Sequence, residues 1–181
     1  MALPTYEPTQ EQKVFVKEYL AQGSVANRGA FDGDQFQQLF GITAQVIVTD
    51  ALGLMRAKNE NTFDGGWDLE WNGKKWDVKC EMRTVAFKKS KFVHNLVAKQ
   101  IKYDVDGYIF VSYNKSAGEY TICGHIEKND FLKHSSFHME GSSRTRSDGT
   151  MMVVKNGTGG LYELEQKHLK PLPIGVMKYG N

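Results

Sequence analysis

Residues 67–82, WDLEWNGKKWDVKCEM, are the most informative stretch of the sequence, because apolar and charged residues alternate on both sides of Asn72-Gly73. An Asn-Gly pair between two alternating runs is typical of a two-residue type I′ turn. The sequence therefore predicts a tight β-hairpin. Counting outward from the turn gives these cross-strand pairs: Trp71 with Lys74, Glu70 with Lys75, Leu69 with Trp76, and Asp68 with Asp77.

The two faces of this hairpin differ in chemistry, because successive side chains on a strand point to opposite sides. One face is apolar and is predicted to pack on the core: Trp67, Leu69, Trp71, Trp76, Val78, Cys80 and Met82. The other face is polar: Asp68, Glu70, Lys75, Asp77, Lys79 and Glu81. A shift of one residue would bury the charged set, so the pattern also fixes the register.

On the polar face, the β-carbons of Asp68 and Asp77 are expected about 4.5 to 5.5 Å apart, and like charges directly opposite each other are destabilising. A divalent cation such as Mg²⁺ would offset that repulsion, since it binds carboxylate oxygens and bridges to phosphates. Lys79 follows Asp77 on the same face. Two carboxylates and a lysine in this arrangement indicate metal-assisted hydrolysis of a phosphodiester. The alternative is a solvent-exposed strand face, which explains the facing aspartates poorly.

Local patterns predict the remaining elements. Thr9 and Gln12 have the spacing of a capping box at the start of a helix over 10–22, and a second helical pattern covers about 35–56. Beyond the hairpin, the sequence predicts a loop over 84–103 that contains a helix at about 90–101, and then strands at 108–113 and 119–126. A short helix capped by Asn129, a mobile loop over 135–150, and short strands at 151–154 and 161–163 are predicted to follow.

Composition limits the class of protein. The 181 residues are 40% hydrophobic and 24% charged, which predicts one domain: 1–34 as an N-terminal helix and loop, 35–134 as the core, and 135–181 as a C-terminal loop with closing strands. Neither a membrane-spanning run nor a secretory signal pattern is present, so a cytoplasmic protein without a membrane partner is expected. Cys80 and Cys123 are too few for a disulfide framework or a zinc finger, and we expect buried thiols.

The net charge of +2 conceals an uneven distribution of charge. Residues 83–103 contain six basic residues and no acidic one: Arg83, Lys88, Lys89, Lys91, Lys99 and Lys102. A basic segment next to an acidic metal site suits a polyanionic substrate, and it predicts contact with DNA phosphates. Arg144 and Arg146 are candidates for a second DNA contact. The alternatives are a solvated helix face for the first group and a plain mobile loop for the second.

These residues resemble the PD-(D/E)XK nuclease superfamily. The match is Asp68, eight intervening residues, and then Asp77-Val78-Lys79, preceded by a helix pattern at 41–52 in which Gln45 stands where the family usually has Glu. The resemblance covers about residues 37–173. It implies an α/β restriction-endonuclease-like fold, in which a central mixed β-sheet is flanked by helices in the order αβββαβ. The strand that usually precedes the hairpin is hard to find in this chain.

The resemblance also implies a mechanism. Asp68, Asp77 and the carbonyl of Val78 would bind Mg²⁺, with Mn²⁺ as a substitute, Lys79 would orient the attacking water, and the Gln45 amide could still bind a metal or its water. The expected activity is a Mg²⁺-dependent DNA endonuclease, structure-selective or specific for a short site, acting as a homodimer. Two alternatives stay open: a catalytically silent DNA-binding or assembly protein on the same fold, and an unrelated α/β protein with a coincidentally charged hairpin.

Overall fold

The computed structural model describes residues 3–21, 35–56, 66–88, 92–145 and 149–174, which form a mixed α/β fold. The α-helices are α1 (Gln10–Ala21), α2 (Gln35–Ala51) and α3 (Lys128–His134), and short 3₁₀ helices cover Ala98–Lys102 and Gln166–His168. The strands are β1 (Thr5–Tyr6), β2 (Leu69–Trp71), β3 (Lys74–Arg83), β4 (Val93–Val97), β5 (Gly107–Asn114), β6 (Glu119–Glu127), β7 (Ser136–His138), β8 (Ser143–Thr145), β9 (Met151–Val153) and β10 (Leu161–Glu165). No helix in these ranges is long and apolar enough to cross a membrane.

The strands form a main sheet and two smaller ones. The main sheet has five strands in the order β1-β6-β5-β3-β2, and only its β3–β5 pair is parallel. A second sheet has three antiparallel strands in the order β4-β10-β7, while β8 and β9 pair with each other. The long strand β3 therefore lies inside the main sheet, next to β5.

Both faces of β3 are covered. Helix α2 packs on one face, where its apolar residues join Val78 and Ile109 in the larger hydrophobic cluster. On the other face, residues of β4, β10 and α3 pack on Tyr108 and Phe110. The alternative interpretation, that the polar face of the hairpin is exposed to solvent, is therefore wrong at Asp77, which is only 4% exposed.

The predicted hairpin is confirmed. Asn72 and Gly73 have φ angles of 54° and 69°, as a type I′ turn requires. The three innermost predicted pairs are present, and the ladder ends at Leu69 and Trp76. The chain leaves the ladder at Asp68, so Trp67 packs in the second cluster and not on the predicted apolar face. Met82, also predicted to be in the core, is 42% exposed at the far end of β3.

The first two helices begin or end through specific local contacts. The capping box is confirmed, because the Thr9 N–H donates to Gln12 Oε1 (2.9 Å) and the Gln12 N–H donates to Thr9 Oγ1 (3.2 Å). Helix α2 ends at Ala51 and not near residue 56. Gly53, with φ of 68°, lets the N–H groups of Gly53 and Leu54 return to the carbonyls of Asp50 and Thr49, both at 3.0 Å.

Three predictions for the second half of the chain are wrong. The stretch predicted as a helix at 90–101 contains β4 and a 3₁₀ helix, because its apolar residues pair with β10 about 70 residues later. The predicted mobile loop over 135–150 contains β7 and β8. Helix α3 begins at Lys128, after Glu127 and without a side-chain cap, so Asn129 does not cap it.

Gly41 provides a test of the α2 assignment. It lies inside α2, and a Cβ added there would meet no atom within 4 Å. We expect Gly41→Ala to raise the free energy of unfolding by about 0.5 to 1 kcal/mol, because alanine loses less backbone entropy in a helix. Urea denaturation measures this. Gly73→Ala is the matched control and should lower stability, since its φ is positive. A loss of stability in Gly41→Ala would contradict the packing of α2.

Candidate active site

Asp77 and Lys79 form the centre of the candidate site. They lie two residues apart on β3, and Lys79 Nζ is 2.8 Å from Asp77 Oδ2. Although this is ion-pairing distance, the ammonium does not meet hydrogen-bond geometry, and Oδ2 has no hydrogen-bond partner among the described residues. The Asp77 carboxylate is therefore compensated in charge while Oδ2 keeps its capacity to bind a further donor or a cation.

Asp68 links α2 to β3. Its Oδ1 accepts a hydrogen bond from Gln45 Nε2 (2.6 Å), and its Oδ2 accepts one from the Val78 N–H (2.7 Å). Its own N–H donates to the Trp76 carbonyl (2.8 Å), beyond the last ladder pair. Asp68 thus contacts the residue next to Asp77, but the paired residues do not include Asp68 opposite Asp77. The structure brings Gln45, Asp68 and Val78 together.

Tyr108 lies beside Asp77 on the neighbouring strand and is fully buried. Burial first, and then the charge of Asp77, raise the pKa of its hydroxyl above the ordinary range. The hydroxyl has no hydrogen-bond partner among the described residues. Sequence reasoning missed this neighbour, because the register of two parallel strands far apart in the chain leaves no local signal.

Glu81, on the polar face of the hairpin, connects the two sheets. Its Oε1 accepts hydrogen bonds from the backbone N–H (2.9 Å) and the Nδ2 (2.7 Å) of Asn95 on β4. Its Oε2 accepts one from Arg83 Nη2 (2.9 Å) and lies 3.2 Å from His94 Nδ1. These contacts hold β4 against β3 at Glu81, which lies on the same face of β3 as Asp77 and Lys79.

His94 is completely buried between Glu81 and Gln166. Gln166 Nε2 donates to the Cys123 carbonyl (2.7 Å), so its amide oxygen faces His94 Nε2 at 2.7 Å and requires a proton there. The other ring nitrogen faces a carboxylate oxygen, which also accepts hydrogen bonds. His94 therefore links Glu81 on β3 to Gln166, which directly follows β10.

The predicted DNA-contacting residues differ in where they lie. Arg83 points inward, because its Nε donates to Ser112 Oγ (3.1 Å) and its guanidinium lies 4.2 Å from the centre of the Phe92 ring. Arg144 also points inward and donates to Glu163 Oε1 (2.9 Å). Three of the predicted residues are exposed, namely Lys88, Lys99 and Lys102. Lys89, Lys91 and Arg146 lie outside the described residues.

The two cysteines are free thiols, Cys123 buried and Cys80 partly buried. Burial raises the pKa of both thiols, so both stay protonated near neutral pH. The expectation of buried thiols is therefore confirmed for Cys123 and only in part for Cys80. Within the described ranges, no group of three or more His, Cys, Asp or Glu residues is arranged to hold a metal ion.

Comparison of the chain with protein-family models, with curated proteins and with solved structures found no match in any of the three.

Proposed function

We propose that the protein is a Mg²⁺-dependent DNA endonuclease that hydrolyses phosphodiester bonds at Asp77 and Lys79. One observation carries this proposal: a buried carboxylate, Asp77, keeps an oxygen without a directed hydrogen bond beside a lysine ammonium 2.8 Å away. Most buried polar atoms in folded proteins have a hydrogen-bond partner, so an exception needs an explanation. A ligand that binds Oδ2 supplies one.

The residues present are compatible with Mg²⁺, with Mn²⁺ as a substitute. Mg²⁺ commonly uses one or two carboxylates and completes its shell with water and substrate phosphates, so it does not need three acidic or histidine ligands. Asp77, Asp68 and the Val78 carbonyl would hold it. Asp68 Oδ1 accepts a hydrogen bond from Gln45 and Oδ2 accepts one from the Val78 N–H, which orients the carboxylate. Once bound, the ion supplies Lewis-acid polarisation of the phosphate and a lowered pKa of a bound water.

The other residues position this group. Gln45 holds Asp68 Oδ1, and Asp68 in turn holds the Val78 N–H, which fixes the backbone next to Asp77. The side chain of Lys79 is 19% exposed, so its ammonium can leave Asp77 and contact the phosphate that enters. Its positive charge would stabilise the negative charge that develops on the phosphate oxygens.

We also propose that the fold is restriction-endonuclease-like. Helix α2 precedes the β2–β3 hairpin and packs on the face of β3 that bears Val78, and β5 pairs in parallel with β3. These features agree with the expected αβββαβ order. One feature departs from it, because β4 and a 3₁₀ helix occupy the crossover between β3 and β5 where a helix is expected.

DNA and a second copy of the chain are the proposed partners. Exposed Lys88, Lys99 and Lys102 would contact phosphates, and cleavage of both strands would use a two-fold dimer with one site for each strand. The cytoplasm is the proposed location of the protein.

A catalytically silent DNA-binding or assembly protein is the second candidate function. Both Asp68 oxygens already accept hydrogen bonds, and Lys79 already compensates Asp77. A site whose charges are satisfied internally needs no metal to be stable. This observation favours a protein that has Asp68, Asp77 and Lys79 for structural reasons and does not cleave DNA.

Purified protein should convert supercoiled plasmid or branched DNA to nicked or linear products with Mg²⁺ or Mn²⁺, and not with EDTA. An ion that binds only the folded state should also raise the thermal midpoint of the protein alone, which provides a readout that does not depend on activity. DNA binding without cleavage of plasmid, branched or single-stranded substrates, and without Mg²⁺-dependent stabilisation, would replace the endonuclease proposal with the second candidate.

A further inference from the structure

The main sheet buries two tyrosines, one on each face, and their hydroxyl groups differ in their partners. Tyr120 on β6 is 4% exposed, lies in the cluster that contains residues of α2, and forms a side-chain hydrogen bond with Thr43. Tyr108 on β5 is completely buried in the other cluster, and its hydroxyl has no hydrogen-bond partner among the described residues. Most buried polar atoms in proteins are paired, so the Tyr108 hydroxyl needs an explanation.

The packing of the core does not supply this explanation. The Tyr108 ring contacts Phe131, with ring centres 5.1 Å apart, and lies 6.3 Å from the ring centre of Phe110. Phenylalanine would keep both contacts. It would also avoid the cost of taking a hydroxyl out of water without a new hydrogen bond. The fold itself therefore does not require this hydroxyl.

A second unpaired atom lies on the neighbouring strand. Asp77 is the strand partner of Tyr108, and neighbouring strands are about 4.8 Å apart. Burial first, and then the charge of Asp77, raise the pKa of the Tyr108 hydroxyl, so it is protonated at neutral pH and is a hydrogen-bond donor. Asp77 Oδ2 is buried without a hydrogen-bond partner in the part of the chain that the structure describes. An unpaired donor and an unpaired acceptor thus lie on adjacent strands.

Lys79 compensates the charge of Asp77 in this structure, since its Nζ lies 2.8 Å from Asp77 Oδ2. In the proposed reaction this ammonium turns to the phosphate that enters. The move takes the compensating charge away from a carboxylate that is almost completely buried. A buried charge that loses its partner is strongly destabilised, so Asp77 then needs another donor.

We propose that Tyr108 is a positioning residue, whose hydroxyl donates a hydrogen bond to Asp77 Oδ2 when Lys79 leaves this carboxylate for the phosphate. The inference rests on the proposed function and adds a residue to its site. Tyr108 is completely buried, so it does not touch DNA. It acts through Asp77, because the hydrogen bond keeps the orientation of the carboxylate while Lys79 is occupied elsewhere.

Urea denaturation of a double-mutant cycle in EDTA tests this contact without any cleavage. Lys79→Met removes the ammonium, keeps an unbranched side chain, and imitates the state in which Lys79 has left Asp77. In the wild-type background, Tyr108→Phe should keep or raise the denaturation midpoint, because it removes an unpaired hydroxyl. In the Lys79→Met background, the same substitution should lower the midpoint by about 0.5 M urea or more, because a hydrogen bond to a charged group is lost.

Tyr120→Phe is the matched control for this cycle. It removes a buried hydroxyl that has a partner and lies on the other face of the sheet. We therefore expect it to lower the midpoint equally in the two backgrounds. A lower midpoint for Tyr108→Phe in the wild-type background, or an equal effect of Tyr108→Phe in both backgrounds, would overturn the inference.

Cleavage kinetics provide a second test, which does not require Lys79→Met to fold. Tyr108→Phe should lower kcat about 10- to 100-fold, the usual effect of losing a group that orients a metal ligand, and should leave KM unchanged. A wild-type kcat would overturn the inference. Failure of the proposed function gives a different result. Coupling between Tyr108 and Lys79 in the cycle without Mg²⁺-dependent cleavage would reject only the endonuclease, whereas cleavage with a wild-type kcat in Tyr108→Phe would reject only the role of Tyr108.

Discussion

Asp77→Asn should lower the rate of Mg²⁺-dependent DNA cleavage by about 10² to 10³-fold or more, the usual effect of removing one group that stabilises charge in a transition state. The substitution keeps the shape of the side chain and removes its negative charge, so it removes the strongest candidate ligand for the ion. It should also remove the rise in thermal midpoint that we expect Mg²⁺ to produce in the wild-type protein. Single-turnover cleavage and thermal denaturation with and without Mg²⁺ measure the two effects.

The fold should survive this substitution. Breaking a fully buried ion pair costs about 3 to 5 kcal/mol, but the Lys79 side chain is 19% exposed and its ammonium can reach water, so the loss should be smaller. Asp104→Asn is the matched control, because Asp104 Oδ2 also lies 2.8 Å from a lysine, Lys75, on an exposed surface. Wild-type cleavage by Asp77→Asn, or an equal loss in Asp104→Asn, would remove Asp77 from the site.

His94→Ala should lower the free energy of unfolding by about 3 to 5 kcal/mol, because it opens a cavity and leaves buried partners of a charged network unpaired. His94 is completely buried and lies between Glu81 Oε2 (3.2 Å) and Gln166 Oε1 (2.7 Å). Urea denaturation at neutral pH measures the change.

His168→Ala is the control for this prediction. The His168 ring stacks on His134 at 4.4 Å but is only partly buried, so its removal should cost less than about 1 kcal/mol. Burial and the nearby His134 lower the pKa of His168, so it is largely neutral at pH 7 and the control removes little charge. If His94→Ala lost less stability than this control, the contacts of His94 with Glu81 and Gln166 would not hold the two sheets together.

The hairpin could be predicted because its signal is local. Asn72-Gly73 requires positive φ at two successive residues, and the alternating residues around it allow one register only. The capping box of α1 is local in the same way. The prediction failed at β4, where the hydrogen bonds that define the strand come from β10, and the sequence around 93–97 cannot show a partner so far away.

In the candidate site, too, local features could be predicted from the sequence and contacts between distant segments could not. A shared strand face predicts that Asp77 and Lys79 lie together, and Lys79 Nζ is 2.8 Å from Asp77 Oδ2. The predicted pairing of Asp68 opposite Asp77 is absent, because the ladder ends at Leu69 and Trp76. Three aspects needed the tertiary structure: Tyr108 beside Asp77, the burial of the polar face under the second sheet, and the inward direction of Arg83. Charge alone does not distinguish an arginine that contacts DNA from one that binds a glutamate inside the fold.

The pairing of β4 with β10 has a consequence for synthesis of the chain. Hairpin β2–β3 and the β5–β6 pair join residues that are close in sequence, so their loop-closure entropy is small and the main sheet can form early. In the described chain β4 pairs only with β10, at residues 161–165. We therefore expect Asp77 and Lys79 to lie on a formed strand before their cover is in place during synthesis. The site can close only after residues 161–165 have been made.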